Sequence, residues 1–241
     1  TRRSSDLYMK GALKYWVEEF DVDGYRCDVA GMVPVDFWEN AVAELNEVKP
    51  VFMLAEDEAE LSLLDSAFHM HYGWEFHHIM NQVSQGEKSV DAFYEYFEKV
   101  DTTVGHSRKM HFLTNHDENS WNGTIKERMG DASEAMAVIS FTIPGMPLIY
   151  SGQEIGLDKQ LEFFQKDPIE WVNSPLEDFY AQLTKLKAEN PALYFGNYGG
   201  EFEILPSNKP EKTFAFKRIK ENNEVLVVTN LSDETQAFAI P

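Results

Sequence analysis

Four short apolar runs, each closed by a cluster of polar or acidic residues, alternate with segments of helical period. That rhythm limits the chain to few architectures. The runs are Asp23–Ala30, Val51–Glu56, Met110–Thr114 (followed by Asn115-His116-Asp117-Glu118-Asn119) and Met146–Tyr150 (followed by Ser151-Gly152-Gln153-Glu154). Between them, apolar residues recur at three and four, as a helix buried on one face requires. Tyr8, Ala12, Leu13, Trp16, Val17 and Phe20 form one such stripe. Phe37, Ala41, Val42, Leu45 and Val48 form the next, opened by Pro34 and stopped by Lys49-Pro50. Phe93, Phe97 and Val100 mark a third, and Met136, Ile139 and Phe141 a fourth that ends at Pro144-Gly145, with Asp131 and Glu134 read as its capping box. Ser174, Pro175 and Glu177 begin a fifth, which carries Phe179, Leu183 and Leu186. Strand-then-helix alternation implies parallel strands, in an open doubly wound sheet or a (β/α)8 barrel. No GxGxxG follows any strand, which disfavours the nucleotide-binding sheet. Polar groups gathered at the C-terminal ends of several strands are what a barrel enzyme presents.

Weaker signals fill the middle of the chain. A short helix is expected over 59–64, and Ser66-Ala67-Phe68 reads as a strand entering the aromatic stretch His69–His78. After about residue 192 the period falls from 3.6 to 2. Thr213–Lys217 and Val225–Thr229 are strands joined by a turn-rich connector from Lys220 to Glu224, and Glu201–Leu205 and Gln236–Ile240 are two further candidates. The expected organisation is an α/β body over residues 1–192 and a small antiparallel β module over 193–241.

Composition narrows the partners. Asp plus Glu number 41 against 21 for Lys plus Arg, a formal charge of −20. Such a field repels phosphate backbones and anionic lipid, so nucleic acid and membranes are disfavoured and a neutral ligand is compatible. No apolar run approaches the ~18 residues of a membrane span. The N-terminus has neither an initiator Met nor a signal-peptide core, which points to a processed chain or a piece of a longer one. The single cysteine, Cys27, forms no intrachain disulfide, and no Cys/His metal spacing occurs.

The chemistry centres on Asp23-Gly24-Tyr25-Arg26-Cys27-Asp28. Strand alternation puts Arg26 and Asp28 on one face and Tyr25, Cys27 and Val29 on the other. A guanidinium and a carboxylate on a buried strand must be paired or used, and on this stretch alone a register-fixing ion pair serves as well as a catalytic one. Asp28, Glu56 and Asp117 each end a strand. Asp28 and Glu56, one βα unit apart, come from neighbouring strands and can face each other across a barrel mouth. Retaining glycoside hydrolysis uses such a pair, one acid as nucleophile and one as acid/base. Arg26 favours the ionised form of Asp28, while Phe52 and Leu54 offer Glu56 apolar surroundings. Tyr25, Tyr72, Trp74 and Trp121 supply ring faces for sugars or for the core.

These segments together resemble the α-amylase family, glycoside hydrolase family 13. Gly24-Tyr25-Arg26-Cys27-Asp28 is similar to its nucleophile strand, Leu54-Ala55-Glu56 to its acid/base strand, and Phe112–Asp117 to the strand of its third acid. Gly145–Glu154 is similar to its last barrel strand, and all four stand in the family's order. The resemblance implies Asp28 as nucleophile, Arg26 as its positioning partner, Glu56 as general acid/base, and Asp117 and His116 as groups that hold sugar hydroxyls. The implied substrate is an α-glucan or maltooligosaccharide, cleaved at α-1,4 bonds.

The family's first three strands and its Asp-x-x-x-Asn-His motif have no counterpart, so the expected fold is a partial (β/α)8 barrel, about strands four to eight, followed by the β module. Where many members carry Lys-His after the nucleophile, this chain has Gly31 and Met32. Calcium, held by some members, has no support in the acid spacing, and no cofactor is expected. Open barrel edges predict self-association and little glycosidase activity from this chain alone. A transglycosylase with the same residues, or a non-catalytic carbohydrate-binding or scaffold protein on the same fold, are the alternatives.

Overall fold

The computed structural model describes residues 2–100 and 106–237, and the chain divides into two compact units, Thr1–Tyr72 and Gly73–Pro241. In the first, helices α1 (Arg2–Phe20), α2 (Val35–Asn46) and α3 (Leu63–Ser66) alternate with strands β1 (Gly24–Cys27), β2 (Phe52–Ala55) and β3 (Met70–Tyr72). The strands are parallel, with Tyr25 opposite Met53 and Leu54 opposite Met70. Phe37, Trp38, Val42 and Leu45 of α2 bury against Met53 and Ala55 of β2, as the helical stripe requires. Gly24, at φ 156°, allows β1 and β2 to meet, because a Cβ there would lie 1.8 Å from the Phe52 carbonyl oxygen.

The second unit contains helices α4 (Trp74–Ser84), α5 (Asp91–Val100), α6 (His116–Asn122), α7 (Ile125–Met129), α8 (Ser133–Thr142) and α9 (Pro175–Glu189). Strands β4 (Lys109–Phe112) and β5 (Met146–Leu148) pair in parallel, Met110 opposite Met146. Strands β6 (Glu201–Ile204), β7 (Thr213–Lys220) and β8 (Asn223–Asn230) form an antiparallel sheet with Phe216 opposite Val227. One core joins this sheet to the helices: Phe214, Phe216 and Val227 bury with Phe76, Phe93, Phe97, Met136 and Ile139. Parallel strands alternating with helices, followed by a small antiparallel sheet, make up a partial (β/α)8 barrel with a β module, as the sequence predicts.

Several local expectations change. The strand expected at Ser66–Phe68 forms instead at Met70–Tyr72, because residues 63–66 close the short helix, one turn later than 59–64. The aromatic stretch turns into α4, whose buried Phe76, Ile79, Met80 and Val83 hold helical spacing around His77 and His78. Asp131 does not cap α8: a 3-10 turn over Gly130–Ala132 intervenes and Ala132 takes the N-cap position. The capping box lies earlier, at Thr124 and Glu127 of α7. Ser174 caps α9 through its hydroxyl, which accepts from the Leu176 amide. Gln236 and Ala237 are not in a strand, and the rest of the expected strand to Ile240 lies outside the described residues.

Candidate active site

In the first unit, Arg26 is the side chain around which the others gather. From the next-to-last position of β1, its Nη1 donates to Asp28 Oδ1 at 2.7 Å, and its Nη2 lies 2.9 Å from Glu56 Oε1. The second contact is an ion pair without hydrogen-bond alignment. One planar guanidinium therefore holds both carboxyls side by side. Its Nε donates to the Tyr72 hydroxyl at 3.1 Å, and its Cζ stands 5.5 Å from the Tyr72 ring centre. Partial burial works against the Arg26 charge. The Tyr72 and Asp28 hydrogen bonds and the Glu56 charge outweigh it and hold the guanidinium pKa above its ordinary value.

Asp28 lies just past the strand, and its carboxyl is 76% exposed. A buried ion pair is therefore not what this stretch contains. The turn that follows is strained: Val29, β-branched, adopts φ 42° and ψ 44°, a left-handed conformation that costs about 1–3 kcal/mol. In this conformation its amide donates to Glu56 Oε2 at 2.8 Å. Glu56 is thus fixed by Arg26 and by a backbone amide, polar partners rather than the apolar ones expected of Phe52 and Leu54. Beside it, Gly31 leaves room for Asp57, whose Oδ2 would lie 2.2 Å from a Cβ at that position. Asp57 in turn accepts from the Glu60 amide at 2.6 Å. A larger residue at position 31 would displace that carboxyl, so Gly31 fits its neighbour.

In the second unit, His116 and Asp117 open α6. Asn115 caps this helix, its side chain accepting from the amides of Asp117 and Glu118 at 3.0 and 2.8 Å. His116 Nε2 is 3.3 Å from Asp117 Oδ2. Burial first, and the Asp117 charge second, push the phenol of Tyr150, two residues past β5, above its ordinary value.

Glu118 anchors the helix from behind. Its Oε2 lies 2.9 Å from Nε2 of fully buried His77 and 3.9 Å from Arg128 Nη1, and its Oε1 accepts from Asn122 at 2.9 Å. Burial raises the Glu118 pKa, but the His77 hydrogen bond, Asn122 and the Arg128 charge outweigh it and hold the carboxyl below its usual range. His77 Nδ1 faces the Phe112 carbonyl at 2.9 Å, tying β4 to the same network.

Sequence reasoning named Arg26, Asp28, Glu56, His116 and Asp117. It did not name Glu118, His77 and Arg128, which brace α6, nor single out Tyr72 as the partner of Arg26. The only sequence signal for Glu118 was its place in a polar strand end, and no local pattern ties it to residues 41 and 10 positions away. Among the described residues no three His, Cys, Asp or Glu side chains converge to hold a metal ion. No helix among them is long and apolar enough to cross a membrane.

Comparison with known proteins places these residues in context. Alpha-amylase 2 of Dictyoglomus thermophilum is 26% identical over 250 residues, covering 96% of this chain and 43% of that protein. The crystal structure of the maltogenic alpha-amylase AmyB of Thermotoga neapolitana superposes with a TM-score of 0.82 at 27% identity, over 94% of this chain and 52% of that one. The alpha-amylase of Lactobacillus plantarum gives 0.83 at 25% identity, over 98% of this chain and 58% of that one. The chain thus spans roughly half the length of the proteins it is similar to. Residues 4–194 match the family described as alpha amylase, catalytic domain. With four parallel-strand ends in the family's order and that match over most of its length, the chain belongs to the alpha-amylase family of glycoside hydrolases.

Proposed function

We propose that this chain supplies the acid machinery of a retaining α-glucan hydrolase that cleaves α-1,4-glucosidic bonds. The observation that carries the reading is Arg26, one guanidinium in contact with both Asp28 and Glu56. Paired carboxyls with separate roles are what glycoside hydrolysis requires. In this reading the exposed Asp28 carboxylate attacks the anomeric carbon. Glu56 gives its proton to the departing glycosidic oxygen, and a covalent glycosyl-enzyme forms. Glu56, now a carboxylate, takes a proton from water, and the hydroxide oxygen displaces Asp28. A sugar hydroxyl in place of water would give transglycosylation. Arg26 holds both acids throughout, and Asp117 with His116 grips sugar hydroxyls as the ring distorts.

The division into a catalytic barrel portion over 1–192 and a β module over 193–241 belongs to the same reading, supported by a family match that ends at residue 194. The 241 residues alone are expected to turn over maltooligosaccharides poorly and to self-associate through strand edges, since they span about half the length of the relatives. The test is Glu56→Gln in a polypeptide that completes the barrel, assayed on maltooligosaccharides beside the 241-residue chain. Activity lost with Glu56→Gln supports the reading. Unchanged activity removes it, and turnover by the chain alone at the rate of the completed barrel removes the expectation of low activity.

A further inference from the structure

The loop after β5 presents aromatic rings to solvent on a braced backbone. Phe164 is 82% exposed, Phe163 40%, and Trp121, on the facing side of α6, 59%. The three rings touch: Trp121 and Phe163 centres are 5.3 Å apart, Trp121 and Phe164 6.2 Å, and Phe163 and Phe164 4.8 Å. Exposing such side chains forgoes about 1.5–3 kcal/mol of burial each, so a contiguous exposed cluster calls for a reason.

Looseness is not that reason. Asn119 of α6 donates to the Lys159 carbonyl at 3.0 Å and accepts from the Leu161 amide at 2.8 Å, and Ser120 donates to the Leu161 carbonyl at 2.7 Å. Asp167 pairs with Lys159 and accepts from the Glu162 amide at 3.1 Å. The loop is thus stitched to the helix that carries His116 and Asp117.

Beside the rings lies a recess of about 240 Å³, rimmed by polar Ser120, Gln160, Glu162 and Gln165. Aromatic faces with polar groups at their edge match a pyranose, whose C–H face meets the π surface while its hydroxyls meet the rim. An anionic ligand would meet a chain of formal charge −20. The platform also continues the candidate site, since the His116 ring stacks over Phe163 at 6.1 Å and 25°.

We propose that Trp121, Phe163 and Phe164 form a sugar-stacking platform that takes a glucosyl residue of the α-glucan beyond the one held by His116 and Asp117. This inference rests on the α-glucan reading above. The test measures maltoheptaose binding to the 241-residue chain by calorimetry, for the wild type, Phe164→Ala, Trp121→Ala, Phe164→Tyr and Asp117→Asn. Phe164→Ala and Trp121→Ala should each weaken binding about tenfold, equivalent to about 1.4 kcal/mol, with melting temperature unchanged for Phe164→Ala, while Phe164→Tyr retains affinity. Binding that Asp117→Asn weakens and both alanine variants leave intact overturns the platform and keeps the α-glucan reading. Binding weakened by the alanine variants and untouched by Asp117→Asn upholds the platform and removes Asp117 from sugar contact. A chain that binds no maltoheptaose overturns the platform, and the α-glucan reading then stands or falls on the Glu56→Gln assay of the completed barrel.

Discussion

Replacing Glu118 by alanine tests how α6, and with it His116 and Asp117, is held. The carboxyl is buried, 2.9 Å from His77 and 3.9 Å from Arg128. Arg128 stays in place without it, through bonds to Asn81 Oδ1 at 2.6 Å, the Leu113 carbonyl at 2.8 Å and the Gly123 carbonyl at 3.1 Å. All of those hydrogen-bond partners are neutral, so truncation leaves a buried cation that the neighbouring Glu127 charge offsets only in part. Removing one member of a buried ion pair costs about 3–5 kcal/mol. At about 2–4 °C per kcal/mol for a domain of this size, the melting temperature should fall by about 6–20 °C.

Thermal melts followed by near-ultraviolet circular dichroism read the effect. Glu118→Gln, which keeps the shape and the Asn122 partner, should lose less. Adding Arg128→Met to Glu118→Leu should recover stability, because the stranded charge disappears. The effect also has a pH signature. The folded pKa of Glu118 lies below its ordinary value of 4.5, so its stabilisation is complete above that value and is lost as pH falls through the depressed one. The gap between wild type and Glu118→Ala should therefore be full near neutrality and close in acid. A loss under about 1 kcal/mol at neutral pH, or a gap that widens in acid, would refute the reasoning.

Two further perturbations address the rest of the molecule. Arg26→Lys keeps the charge but removes the fork that touches both Asp28 and Glu56, so in a completed barrel kcat should drop about 10²-fold with KM little altered. A raised KM with kcat unchanged would mean that Arg26 serves binding instead. Phe216→Ala empties a fully buried site and should cost about 3–5 kcal/mol. Because Phe216 shares its core with Phe93 and Met136, hydrogen exchange should accelerate in α5 and α8 as well as in β7. Acceleration confined to β7 and β8 would show the module to be energetically separate.

What the sequence revealed followed the range of the interactions. The strand ends at Asp28, Glu56 and Asp117 were legible because apolar runs of four residues closed by charge are local patterns. So were α2 and α9, whose stripes and Pro–Ser starts lie within a dozen residues. β3 was displaced because its three residues carry no alternation, and α4 was obscured by two histidines inside its stripe. The partners of Arg26 were less accessible. Tyr72 is 46 positions away, and only folding reveals that its hydroxyl meets the guanidinium. The left-handed Val29 could not be read at all, since valine disfavours that conformation and the Glu56 contact that accompanies it is tertiary. Local rules failed most clearly beside Asp28 and Glu56, where geometry departs from what each residue would adopt alone.

The central claim is that Asp28 is the nucleophile and Glu56 the acid/base. The most direct measurement is peptide mass spectrometry of a completed barrel carrying Glu56→Gln, after treatment with a fluorinated α-glucosyl fluoride that slows hydrolysis of the glycosyl-enzyme. A glucosyl adduct on the peptide bearing Asp28, absent in Asp28→Asn, is the result predicted. An adduct on Asp57, Asp117 or Glu154, or one that survives Asp28→Asn, would contradict the assignment.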